Sequence, residues 1–317
     1  MTDVTTTAPA IPKRASRLSR IARAIGLLRE SPIGMFGAFI VLFWIVLAVV
    51  ADLLPIYDPL AQSAPDLLRP ALSPAPDGGT YWLGTDDKGR DILSRLIYGS
   101  RLVLFWSSLA TVVAYIAGML MGVVAGYKGG WWDEALSFLG NIFLAFPQMV
   151  LYLVILSQLG SESPLGEMLA KAGFSTVWVK GLIIVIAITF GTAPQVARIV
   201  RGLVLDLKTR DYVAAAEVRG ESPFYIMIVE LLPNARGPLI VDACLRLGYV
   251  TIAIAALGFL GLGLPPPDPD WGKMISEVRG FGAMAANAML WPAMAISSLV
   301  LGLNLLADGL REVSLRD

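Results

Sequence analysis

The chain has 317 residues, of which 56% are hydrophobic and only 16% charged, with 25 basic side chains balanced by 25 acidic ones. Soluble domains carry about 25% charged residues, so this composition excludes an ordinary soluble domain and leaves a polytopic helical membrane protein. A net charge of zero removes the electrostatic basis for a nucleic-acid partner. With no histidine and one cysteine, the chain has no internal disulfide, no usual zinc site, no histidine acid–base chemistry and no Ser-His-Asp triad. Cys244 lies in an apolar run and reads as a small buried hydrophobe. Gly272-Lys273 leads into Met274, so no Walker A loop is present, and any ATP must be bound by another chain.

Residues 1–12 are rich in Thr, Ala and Pro and read as a disordered tail. Residues 13–29 carry Lys13, Arg14, Arg17, Arg20, Arg23 and Arg29, with Leu18, Ile21, Ile25 and Leu28 at helical spacing. That is a basic amphipathic helix suited to an anionic membrane surface, and equally a positive flank that sets topology. The uncharged run Ile33 to Ala51 has 19 residues, longer than a signal-peptide core of about 7–15, and predicts a first transmembrane helix within 33–54. Residues 55–101 form a long polar segment with six prolines from Pro55 to Pro76. Its excess of acidic side chains fits the outer side, opposite the basic N-terminus. Asp91 to Tyr98 reads as a short interfacial helix with Ile92, Leu93, Leu96 and Ile97 on one face. The Asp86-Asp87 pair lacks the EF-hand ligand spacing and reads as a structural turn rather than a calcium site.

The second span is expected over Leu102 to Tyr127, with Gly118, Gly122 and Gly126 forming a close-packing face. Trp131 and Trp132 sit in an expected inner loop, Lys128 to Glu134. A third span, Ala135 to Leu159, contains Asn141, Pro147 and Gln148. Polar groups in mid-span need internal partners or a wet cavity. Asn141 and Gln148, with Asn287 further on, are therefore candidate pathway-lining groups, and ordinary interhelical hydrogen bonds explain them equally well. The fourth span is Val177 to Val200, the fifth Gly237 to Leu264 and the sixth 281–307. Asp242 and Arg246 are spaced for an i,i+4 ion pair near the inner end of the fifth. Six spans put both termini on the inner side, in agreement with the two basic clusters.

Between the fourth and fifth spans lies a polar island. Asp211 is placed to cap a short helix, Ala214, Ala215 and Ala216 are strong helix formers, and Gly220 is suited to a left-handed stop. Ser222-Pro223 starts a second helix, which Pro233 is expected to close. Two short helices across the inner face would present a slim foot to a groove on a partner.

This stretch resembles the "EAA" loop of membrane subunits in binding-protein-dependent ABC importers. Ala214-Ala215-Ala216, Gly220 and Leu232-Pro233 match its spacing, whereas Ala214 stands where the pattern has glutamate, and Glu217 lies one residue past the triplet. Gly84-Thr-Asp-Asp-Lys-Gly-Arg-Asp91, Leu260 to Pro267 with Trp271-Gly272, and Asn304 to Arg311 are similar to the dipeptide/oligopeptide group of permeases, "C" type. The similarity runs over residues 30–315 or so. It implies an all-α fold, the type I ABC importer permease, with six transmembrane helices and both termini cytoplasmic. The implied organisation is a cytoplasmic tail (1–32), the first span, the extracytoplasmic segment, a five-helix transporter domain (102–310) with a cytoplasmic coupling loop (201–236), and a tail (311–317).

The implied function is that of a non-catalytic, multi-pass subunit of the bacterial inner membrane, forming half of a pathway for di- or oligopeptides. The implied partners are a homologous "B" type permease subunit, two cytoplasmic ATPase subunits that bind ATP and Mg, an extracytoplasmic solute-binding protein and membrane lipid, with no cofactor in this chain. Asp211, Tyr212, Ala214, Ala215, Ala216, Glu217, Arg219, Gly220, Leu232 and Pro233 would form the ATPase-coupling helix and its close. Relatives in the group that carry nickel complexes, glutathione or opine- and sugar-like solutes leave the substrate open. A secondary transporter would be expected to bury ionisable groups at mid-membrane, and the spans hold none near their centres. A membrane-embedded enzyme would need histidine or paired acids that the spans lack.

Overall fold

The computed structural model describes residues 31–160, 163–265 and 267–314. The basic stretch 13–29 therefore lies outside the described residues.

Helix α1 (Pro32–Val50) starts on Ser31, whose hydroxyl accepts from the Gly34 amide at 3.3 Å, with Pro32 pre-set for the first turn. Most of its surface is exposed, Phe36 and Phe39 included, which suits a helix bathed in lipid. One side is anchored. A side chain on Gly37 would place its Cβ 2.6 Å from the Gly302 carbonyl oxygen, so the helix touches its neighbour backbone to backbone. Above that crossing, Trp44 donates to Ser298 Oγ at 2.9 Å and packs edge-on to Trp271, ring centroids 4.8 Å apart.

Helix α2 (Ile92–Lys128) is one 37-residue element. The expected interfacial helix from Asp91 is its first two turns, not a separate piece. No proline separates Tyr98 from Leu102, and the apolar face of Ile92, Leu96 and Ile97 is buried against protein. Asp91 caps it, accepting from the Ser94 amide at 2.8 Å. Gly118, Gly122 and Gly126 lie flush on Val196, Val200 and Val204 of α6 (Thr176–Leu207), as their spacing predicts. A Cβ at Gly118 would fall 2.6 Å from the Ala193 carbonyl oxygen.

The third span is not a single rod. Helix α3 (Gly130–Leu144) takes in the expected inner loop, and α4 (Gln148–Gln158) leaves it at 91°. Pro147 supplies no N–H, and the residue before a proline is driven out of the helical region, so the helix stops short of Pro147. Among the described residues, five helical segments are long and apolar enough to cross a membrane, and a sixth crossing exists if the bent pair is one span. Helix α5 (Pro164–Lys171) lies in the expected outer loop. After α6 come α7 (Asp211–Val218), α8 (Leu232–Phe259), α9 (Trp271–Val278) and α10 (Ala286–Ser314), the last beginning five residues later than the expected sixth span.

The segment before α2 is held by a two-stranded hairpin, β1 (Ser73–Pro74) with β2 (Thr80–Tyr81), and by a buried ion network. Asp86 accepts from Arg90 Nε at 2.6 Å and from the Lys88 and Arg90 amides at 2.9 and 3.0 Å. Arg90 also donates to Glu277 on α9 at 2.6 Å, and Arg95 lies 3.5 Å from Asp86 and 3.6 Å from Glu277. The three carboxylates of Asp86, Asp87 and Glu277 are close enough to share a cation. Lys88, Arg90 and Arg95 lie against these carboxylates and supply compensating positive charge.

Candidate functional site

The polar island folds as a short foot beneath the bundle. Arg210 has the extended cap conformation before α7, and its carbonyl accepts from the Val213 and Ala214 amides at 3.0 and 3.3 Å. Asp211, expected as the cap, stands one residue inside; its carboxylate complements the helix dipole without a capping bond. The stop is a Schellman turn: the Glu221 amide donates to the Ala216 carbonyl at 3.2 Å and the Gly220 amide to Glu217 at 2.9 Å. Gly220 takes φ of +77°, and a Cβ there would meet nothing within 4 Å. The cost of a side chain is then conformational alone. Gly220→Ala is expected to destabilise the foot by about 1 kcal/mol, and Gly220→Asn by less. Faster amide exchange over residues 211–221, with unchanged exchange in α2 and α6, is the measurement.

Ser222 caps the next turn, accepting from the Tyr225 amide at 3.2 Å. Pro233 does not close that helix, contrary to expectation. The chain stays helical from Pro223 to Phe259, through a π-helical stretch at Ile226–Leu231. The wide turn makes room for the proline ring, and Asn234 Nδ2 donates back to the Glu230 carbonyl at 2.6 Å.

Two faces of the foot are distinct. Val213 and Ala216 are fully buried among Val200, Val204, Ile226, Met227 and Leu231. Ala214, Ala215, Glu217, Val218 and Arg219 are exposed, Val218 at 89%. The alanine triplet is thus split: Ala216 seats the helix and the other two offer a smooth outer surface. Tyr212 and Leu232 are half-buried, Pro233 is exposed, and burial pushes the Tyr212 phenol pKa upward, which keeps it neutral. Glu217 accepts from Tyr127 Oη at 3.3 Å, tying the foot to the end of α2. Arg219 pairs with Glu230 at 3.4 Å and Glu221 at 3.7 Å, contacts worth little at this exposure. Val213 and Met227 were not among the expected site residues; for Val213 the signal is its i, i+3 spacing with Ala216.

The three polar residues of the spans lie apart from the foot. Asn141 accepts from Arg198 at 3.1 Å and lines a cavity of about 390 Å³ between α2, α3 and α6. Gln148, the first residue after the break, donates to Tyr152 Oη. Asn287 donates to the Leu83 carbonyl at 2.6 Å and accepts from Trp291 at 3.0 Å, joining α10 to the hairpin segment.

Residues 118–316 match the family described as binding-protein-dependent transport system inner membrane component. The chain is 35% identical over 285 residues to the dipeptide transport system permease protein DppC of Alkalihalophilus pseudofirmus, covering 90% of this chain and 86% of the relative. It is 36% identical to the di/tripeptide permease DppC of Pseudomonas aeruginosa, covering 88% and 86%. It is also 33% identical to the glutathione permease GsiD of Pectobacterium atrosepticum, covering 90% and 87%. Among solved structures, inward-facing forms of the MetNI methionine ABC transporter match with a TM-score of 0.54 at 20% identity, over 70% of this chain and 97% of that one.

Proposed function

The chain belongs to the binding-protein-dependent transport system inner membrane components, and we propose that it is the non-catalytic "C" type half of an ATP-driven importer for short peptides, gripped from the cytoplasm at α7. It is a multi-pass membrane permease subunit, and its relatives are permeases for dipeptides and glutathione. The observation that carries the coupling role is the two-faced foot: one side locked into the bundle by Val213 and Ala216, the other smooth and exposed at Ala214, Ala215 and Val218. A slim exposed helix suits a groove on a partner.

In this reading two ATPase subunits bind ATP and Mg and hold α7, a homologous "B" type subunit completes the pathway, and a solute-binding protein delivers the substrate from outside. Both termini are cytoplasmic, in a bacterial inner membrane. Closure of the ATPases pushes the foot and rocks the bundle between inward- and outward-open states. The glutathione relatives favour a second substrate, also peptide-like.

Ala215→Trp tests the docking face, because Ala215 is exposed and the change leaves the packed side alone. Binding of the ATPases to the purified membrane pair is expected to weaken about 30-fold, the effect of losing an interface hot spot, with the unfolding temperature unchanged. Retention of the ATPases at wild-type affinity, with ATP-dependent uptake intact, would remove α7 as the docking element.

A further inference from the structure

Above the foot, four polar side chains from three helices meet inside the bundle. Tyr115 on α2 donates its hydroxyl to Asp242 Oδ2 on α8. Arg246, one turn further along α8, donates from Nε to the same oxygen at 2.9 Å and from Nη1 to Gln195 Oε1 on α6 at 2.6 Å. Gln195 in turn donates to the Gly191 carbonyl at 3.2 Å. The ion pair is largely sequestered, with side-chain exposures of 11% for Arg246 and 20% for Asp242.

The cluster stands between two apolar cores. On the foot side, Tyr115 and Leu239 belong to the core that buries Val213 and Ala216. On the far side, Gly191 lies flush on Tyr152, where an added Cβ would be 2.7 Å from the ring, and Tyr152 belongs to the core with Ile188, Val250 and Ile254. Tyr152 also accepts the Gln148 amide at the start of the broken helix. A connected line therefore runs from the foot to the break in the third span.

We propose that Tyr115, Asp242, Arg246 and Gln195 are positioning residues that carry movement of the foot to the broken helix. The inference rests on the coupling role given to α7. Apolar helix faces can slide past one another, whereas directed hydrogen bonds on a shared carboxylate fix α2, α6 and α8 in one arrangement. Apolar residues of the same volume often stabilise as well as a sequestered ion pair, so stability alone is a weak reason for this one. Its placement on the helix that follows the foot after the turn at Gly220 and Ser222 gives it a mechanical role.

The test uses the complete complex in proteoliposomes, with labelled alanyl-alanine and glutathione as probes, reading ATP hydrolysis and uptake together. Tyr115→Phe removes one hydroxyl and keeps the packing. Arg246→Lys keeps the charge opposite Asp242 but cannot reach Gln195 at the same time. Both variants are expected to assemble and hydrolyse ATP within twofold of wild type while uptake per ATP falls about tenfold, the scale of coupling carried by one such link. Unchanged uptake per ATP in both variants overturns the joint. So does a parallel fall of uptake and hydrolysis that follows only the amount of assembled complex, which marks a purely structural cluster. The wild-type complex controls the reading beneath: if its ATPases do not bind through α7, that reading fails whatever the variants do.

Discussion

Asp86→Ala is expected to be among the most destabilising single changes in the chain, by about 3–5 kcal/mol, the scale seen when one partner is removed from a buried ion pair. Asp86 is 5% exposed and holds two backbone amides and the Arg90 guanidinium, with Arg95 behind it. Removing it strands two guanidiniums that are themselves 2% and 1% exposed, with Asp87 and Glu277 left to compensate. It also opens the turn that leads into Asp91 and the first residue of α2. Asp206→Ala is the contrasting control, because its pair with Arg210 is solvent-exposed and worth at most about 1 kcal/mol. Thermal unfolding of both variants in detergent, followed by tryptophan fluorescence, should show a large drop for the first and almost none for the second.

Val213→Asp is expected to abolish coupling. Val213 has no solvent exposure and packs in the core that Ile226, Met227 and Leu231 close from above. A carboxylate there has no partner, and burying it unpaired costs several kcal/mol. The foot can be released without unfolding the bundle, since α7 is eight residues long with two fully buried side chains, Val213 and Ala216, and one hydrogen bond from Tyr127 to Glu217. Uptake should fall to background while the membrane helices keep their unfolding transition. Val213→Ile, similar in chemistry and one methylene larger, should cost at most about 1–3 kcal/mol and retain uptake. Uptake by Val213→Asp at more than about a tenth of the wild-type rate would show that the buried face does not seat the foot.

Features set by local spacing were readable from the chain alone. Gly118, Gly122 and Gly126 announced their helix crossing, Asp242 and Arg246 their pair, and Gly220 and Ser222 the stop and restart of the foot. Each depends on side chains within four residues of one another or on a single backbone conformation. What spacing could not show was the cost of continuing versus breaking a helix. Pro147 interrupted the third span, whereas Pro233 did not close the second helix of the island. The difference lies in what surrounds each: Pro233 follows a wide turn, and Asn234 takes up the nearby Glu230 carbonyl. Asp211 was misplaced by one residue for a related reason, because the backbone of Arg210 already performs the capping. The buried face of the foot was illegible because its partners come from α6 and from the π-helical stretch, outside the foot's own local spacing.

The stretch at Ile226–Leu231 has one more effect. An i→i+5 turn holds a residue more than an α-turn over a similar rise. It acts as an expansion joint in the chain's numbering: a residue can be gained or lost there while the azimuth of everything beyond it is preserved. Asp242 and Arg246 can therefore keep pointing at Tyr115 and Gln195 through small changes in the length of the foot. The exposed face of α7 and the contacts of α8 within the bundle are in this way released from a common register.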